Sequence, residues 1–91
     1  MGIKTVLIEL TSRQVDLLLE YSYPFDNEEE QLKNLQKERG EFHTLKSDDF
    51  YAPILIGDIC HCAKKVDDEY LLEELDEIAD IIEMAISSAA S

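Results

Sequence analysis

An apolar, β-prone run leads without a break into a helix start, and that junction limits the folds open to this chain. Residues 3–10, Ile-Lys-Thr-Val-Leu-Ile-Glu-Leu, set Val6, Ile8 and Leu10 on one face of a strand. Ile3, Thr5, Leu7 and Glu9 take the other face. Apolar residues on both faces predict a strand covered on both sides. Thr11-Ser12-Arg13-Gln14 follows at once as a capping box, with Thr11 at the N-cap and Gln14 at N3. Leu10 and Val15 then occupy the N′ and N4 staple positions. A helix is expected over 12–21, with Val15, Leu18, Leu19 and Ser22 along one side. Pro24 holds Tyr23 away from helical geometry and ends it.

A second helix is expected from Asp26, with Asp26 as its cap and Glu29 at N3. Leu32 and Leu35 are its apolar residues, and Glu29 and Lys33 form a favourable i,i+4 pair. So polar a segment reads as a solvated arm on the surface, stopped near Gly40. Residues 41–46, Glu-Phe-His-Thr-Leu-Lys, are short and mildly β-prone, and they are the expected partner of the first strand. A third helix should begin between 48 and 53, because Pro53 is tolerated only in a first turn. Leu55, Ile59, Cys62 and Val66 give it an apolar stripe. The last helix is the longest: Asp67 is its expected N-cap, with Val66 and Leu71 as a staple. Leu71, Leu75, Ile78, Ile82 and Ala85 form its stripe, flanked by Leu72, Ala79 and Ile86.

These elements predict an α+β fold in one domain over 1–91. A two-stranded β element (3–10 with 41–46) is joined by three to four helices, ending in a long acidic one. The alternative is an all-α bundle with residues 3–10 as an extended arm. Strand-to-cap junctions at Leu10-Thr11-Ser12 and Leu45-Lys46-Ser47 echo each other, over too short a span to define a repeat. A two-stranded ribbon is marginal by itself and leaves an open edge. A homodimer, with two ribbons joined into one sheet, is therefore expected.

Charge narrows the partners. The 91 residues carry a net charge of -13. Residues 66–91 supply nine acids and no base, while residues 42–65 are neutral. Direct binding of nucleic-acid phosphate or of an anionic membrane is excluded by this sign. No segment approaches the roughly 20 apolar residues of a membrane helix. The first residues lack the pattern of a signal peptide, and two cysteines one residue apart make no disulfide framework; cytoplasmic residence is the expectation.

Glu69, Glu73, Asp76, Asp80 and Glu83 repeat at helical spacing and build one acidic face, thickened by Glu74 and Glu77. A solvated face that keeps the protein soluble would look the same. Yet like charges at i,i+4 weaken a helix by about a few tenths of a kcal/mol per pair. Mixed signs would give solubility at lower cost, so the face also reads as a docking site for a basic protein. Tyr23 and Phe25, in the turn Tyr21-Ser22-Tyr23-Pro24-Phe25, offer an aromatic alternative through which an accessory subunit would bind. Otherwise they plug the core.

Cys60-His61-Cys62 suggests metal chemistry, but residues two apart on a helix point about 200° from each other. The cysteines are read instead as small core residues with His61 outward, and His43 as too remote in sequence to complete a site. No metal or cofactor is expected. Asp58 and His61 are i,i+3 neighbours without a nucleophile elbow, and no glycine-rich phosphate loop exists. Gly57, inside the third helix, suggests a close approach of another element. The chain is expected to be a non-enzymatic interaction or regulatory module, with a small metal or ligand carrier as a further alternative.

Overall fold

The computed structural model describes residues 4–22, 25–38 and 40–90. Two strands and four helices follow one another as β1 (Thr5–Thr11), α1 (Ser12–Tyr21), α2 (Asp26–Lys37), β2 (Phe42–Asp48), α3 (Ala52–Ala63) and α4 (Glu69–Ala90). The fold is α+β, and the expected pair of strands is present, so the all-α alternative is excluded. The two strands pair antiparallel, with Thr5 opposite Asp48, Ile8 opposite Leu45 and Thr11 opposite Phe42.

Both strands alternate buried and exposed residues in the same order. Val6, Ile8 and Leu10 are buried on the inner face with His43, Leu45 and Ser47. The outer face is open: Leu7 is 60% exposed and Phe42 62%. This corrects the expectation of a strand covered on both sides. The helices all serve the inner face, so the second apolar set of β1 has nothing above it.

The junction between β1 and α1 forms as its sequence dictates. Thr11 Oγ1 accepts the Gln14 N–H at 3.2 Å, and Gln14 Oε1 accepts the Thr11 N–H at 2.9 Å. Leu10 and Val15 are both fully buried. α1 lies at the centre of the fold, against both strands and the other three helices. It therefore buries Gln14 and Leu17 as well as the expected Val15 and Leu18.

α2 differs from a solvated arm. It packs against α1 and β2 and buries Leu32 and even Glu28. Phe25, not Asp26, is its N-cap, and no side chain caps it. Asp26, Glu28 and Glu29 instead stand in its first turn, where negative charge favours the helix dipole. The helix ends at Glu38, and Gly40, two residues beyond, has a positive φ of 143°. Tyr23 and Pro24, which were to end α1, lie outside the described residues.

β2 runs two residues further than expected, to Asp48. There the Asp48 carboxylate accepts the Phe50 and Tyr51 N–H groups at 2.9 and 2.7 Å and turns the chain into α3. Pro53 sits in the first turn of α3, as its missing N–H requires. Ala52, Leu55 and Ile59 are buried from this helix. α4 starts at Glu69, so its cap is Asp68 rather than Asp67: Asp68 Oδ1 accepts from the Tyr70 N–H at 3.0 Å and the Leu71 N–H at 3.4 Å. Leu75, Ile78, Ala79 and Ile82 are its buried stripe, with Leu71, Ala85 and Ile86 partly buried. α4 pairs with α3 and packs along β1. Among the described residues, no helix is long and apolar enough to cross a membrane.

Candidate functional site

α4 carries seven acids and no base. Burying one stripe leaves most of the helix in solvent, and Glu69, Glu73, Asp76, Asp80 and Glu83 are all exposed. At about 100° per residue they share one flank. None of the five forms an ion pair among the described residues. Glu74 leaves the set: its Oε2 lies 3.1 Å from Nε of Arg13, which ties α4 to the start of α1. Both partners are well exposed, so the pair holds geometry more than it adds stability.

The other flank of α4 faces β1. Between them runs an open groove lined by Leu7, Glu9, Phe42, Glu77, Ile81 and Met84, among others. A second groove passes Pro53 and Ile56 of α3 and Glu83, Met84 and Ile86 of α4. Met84 stands between the two and is 70% exposed. No sequence pattern marks the first groove. Leu7 was assigned to a strand face that would be covered, and only the strand register reveals that Phe42 shares its open face.

The aromatic turn is partly described. Phe25 is 44% exposed, and its ring lies 4.4 Å from that of Tyr51, centroid to centroid. Phe50 meets Tyr51 edge-on at 5.1 Å and is 61% exposed. The start of α2 thus meets the start of α3 in an aromatic cluster. Tyr23 lies outside the described residues.

Cys60, His61 and Cys62 do not converge. On α3, Cys60 and His61 are exposed and Cys62 is half-buried. Cys60 is therefore not the core residue expected, because its position faces away from α4 and the sheet. His43 is elsewhere, buried on the inner face of β2. Among the described residues no three His, Cys, Asp or Glu side chains are placed to hold a metal ion.

His43 has company that the sequence did not suggest. Its Nε2 lies 2.9 Å from Ser12 Oγ, and its Nδ1 lies 3.6 Å from Glu38 Oε2. Ser12 Oγ also donates to the Gly40 carbonyl at 3.2 Å. The three side-chain types are those of a hydrolytic triad. A Ser–His base, however, needs the hydroxyl hydrogen directed at the imidazole. Here the Gly40 carbonyl at 3.2 Å competes with His43 Nε2 at 2.9 Å for the single hydroxyl hydrogen, and the imidazole tautomer decides which takes it. Neither groove along α4 includes Ser12 or His43. The cluster pins the 38–43 connection onto the N-terminus of α1.

Two buried side-chain atoms have no hydrogen-bond partner among the described residues: Glu28 Oε2 and Ser47 Oγ. Both residues line a shallow polar depression between α2 and the strands, with Gln31 and Asp48. No protein-family model matches this chain, and no curated protein or solved structure matches it either.

Proposed function

We propose that this chain is a non-enzymatic interaction module that docks a basic protein partner through α4. The observation that carries the reading is the unpaired row Glu69, Glu73, Asp76, Asp80 and Glu83, exposed along one flank of a 22-residue helix that holds seven acids and no base. Such a row raises the encounter rate with a cationic surface and selects against anionic ones. The homodimer expected from the open sheet edge would place two such helices near each other, and charge favours a basic chain over a second copy.

The test compares the wild type with a Glu73→Lys, Asp76→Lys, Asp80→Lys variant in affinity capture from lysate, at low and high salt. Partners should be held at low salt, released at high salt and lost in the variant. Equal capture by the variant would refute the charge reading. The aromatic cluster supports a second reading, an accessory subunit bound through apolar surface, because Phe25 and Phe50 stay exposed while they pack on Tyr51. Binding of that kind survives high salt and fails after Phe25→Ala with Phe50→Ala.

A further inference from the structure

The two edges of the sheet are not equivalent. The Asp49 N–H donates to the Lys4 carbonyl at 3.0 Å, which fixes the phase of the ladder in the observed register. Val6, Ile8 and Leu10 bond to β2, while Thr5, Leu7, Glu9 and Thr11 turn their peptide groups outward. On β2 the outward set includes Lys46. There the Gln31 side chain takes both groups: its Nε2 donates to the Lys46 carbonyl at 2.8 Å, and its Oε1 accepts the Lys46 N–H at 3.0 Å. An α2 amide thus stands where a neighbouring strand's peptide would be. On β1 the Thr11 N–H is taken by Gln14, and among the described residues no amide hooks the outward groups of Leu7 and Glu9.

The geometry points to strand addition at this edge: the groove between β1 and α4 takes an extended, basic and apolar segment of a partner protein as a third strand on β1. The proposal takes the sign of the partner's charge from the docking reading above and gives it a binding mode. The unhooked edge supplies main-chain donors and acceptors at Leu7 and Glu9, the recurring basis of peptide capture by sheets. The dimensions agree. Thr5 to Thr11 spans about 20 Å of strand, and Glu77 to Ser88 about 16 Å of helix, enough for five or six extended residues. Alternate side chains of such a segment stand toward Ile81 and Met84 on α4, and the others stand beside Leu7 and Glu9 on the open face. Among the described residues, Glu9 and Glu77 are the charged ones lining the groove, with no base beside them. A second copy would bring its own acidic α4 to the same place.

The probe is a heptapeptide of alternating lysine and valine, titrated into the ¹⁵N-labelled full chain. Its controls are a glutamate–valine counterpart and a lysine–valine peptide N-methylated throughout, which keeps the charge and loses the main-chain donors. Binding by the first peptide should slow amide hydrogen exchange at Leu7 and Glu9 by about tenfold or more. Both control peptides should fail. Met84→Ser, at an exposed position that folding does not need, removes the apolar contact without adding charge and should weaken binding by about tenfold. Shifts confined to the flank of Glu73, Asp76 and Asp80 would overturn strand addition and leave the docking reading standing. Equal binding by the N-methylated peptide would overturn it too. So would a dimeric unliganded protein whose Leu7 and Glu9 amides already exchange slowly, since the occupant would then be a second copy. Unchanged partner capture by the triple lysine variant, with peptide protection intact, would instead remove the acidic-flank reading alone.

Discussion

Gly57 sits in the middle of α3, and a Cβ built there meets no atom within 4 Å. The close approach expected from the sequence does not occur; the position is exposed. Gly57→Ala should therefore stabilise the protein by about 1 kcal/mol, through helix propensity and a stiffer unfolded chain. Urea denaturation reads this directly, as a raised midpoint with an unchanged slope. Glu28 presents the opposite case. It is 2% exposed with one carboxylate oxygen lacking a partner. Glu28→Met, similar in length and free of the unpaired oxygen, should raise stability by about 1 kcal/mol; a lowered midpoint would show that the carboxylate holds the α2–β2 packing. At Ser12, removing the hydroxyl leaves the buried His43 without the partner of its Nε2. Ser12→Ala should cost about 1 kcal/mol in the same assay. No local pattern points to this pin, because Ser12 and His43 lie 31 residues apart and meet only through the strand register.

At the scale of elements, legibility followed how much of each signal was local. The capping box of α1 needs four adjacent residues, and it was read with both hydrogen bonds and the right boundaries. The cap of α4 was displaced by one residue because Asp67 and Asp68 are adjacent and equally suited; only the backbone decides which carboxylate meets the Tyr70 N–H. α2 departs from its composition for a different reason. Its composition is that of an exposed helix, yet two residues, Leu32 and Glu28, are drawn under cover by α1 and β2. The acidic row was legible as a helical period, but the groove beside it was not, since Leu7 and Ile81 come together only when α4 crosses β1. The hook at Lys46 yields its own prediction. Gln31→Ala should free the outward N–H and carbonyl of Lys46 and open that stretch of the second sheet edge. Light scattering should then show self-association at concentrations where the wild type stays unchanged.

At the scale of the whole molecule, the order β1-α1-α2-β2-α3-α4 is one strand and two helices, stated twice. An axis through the Ile8–Leu45 pair carries Thr5–Thr11 onto Phe42–Asp48, and the buried positions coincide. Thr11 and Asp48, both of which accept helix-start N–H groups, coincide as well. The echo seen in the sequence aligned Leu10 with Leu45, two residues out of this register. The strand side chains could not set it, because Leu10 corresponds to Ser47 and no residue of β1 recurs at its equivalent in β2. In each half the second helix covers the strand of the other: α2 packs on β2 and α4 on β1. The net charge of -13 bears on this whole body. Repulsion among unpaired carboxylates opposes compactness and is screened once the Debye length falls below about 10 Å. Raising sodium chloride should therefore raise the urea midpoint, and the triple lysine variant should show a weaker dependence. A sheet with one margin closed by Gln31 has a further consequence. If a strand adds on β1 as proposed, Gln31 blocks the matching addition at Lys46 of β2, so one addition does not template the next there. Fibres require a template that faces both ways, and the Lys46 hook opposes that.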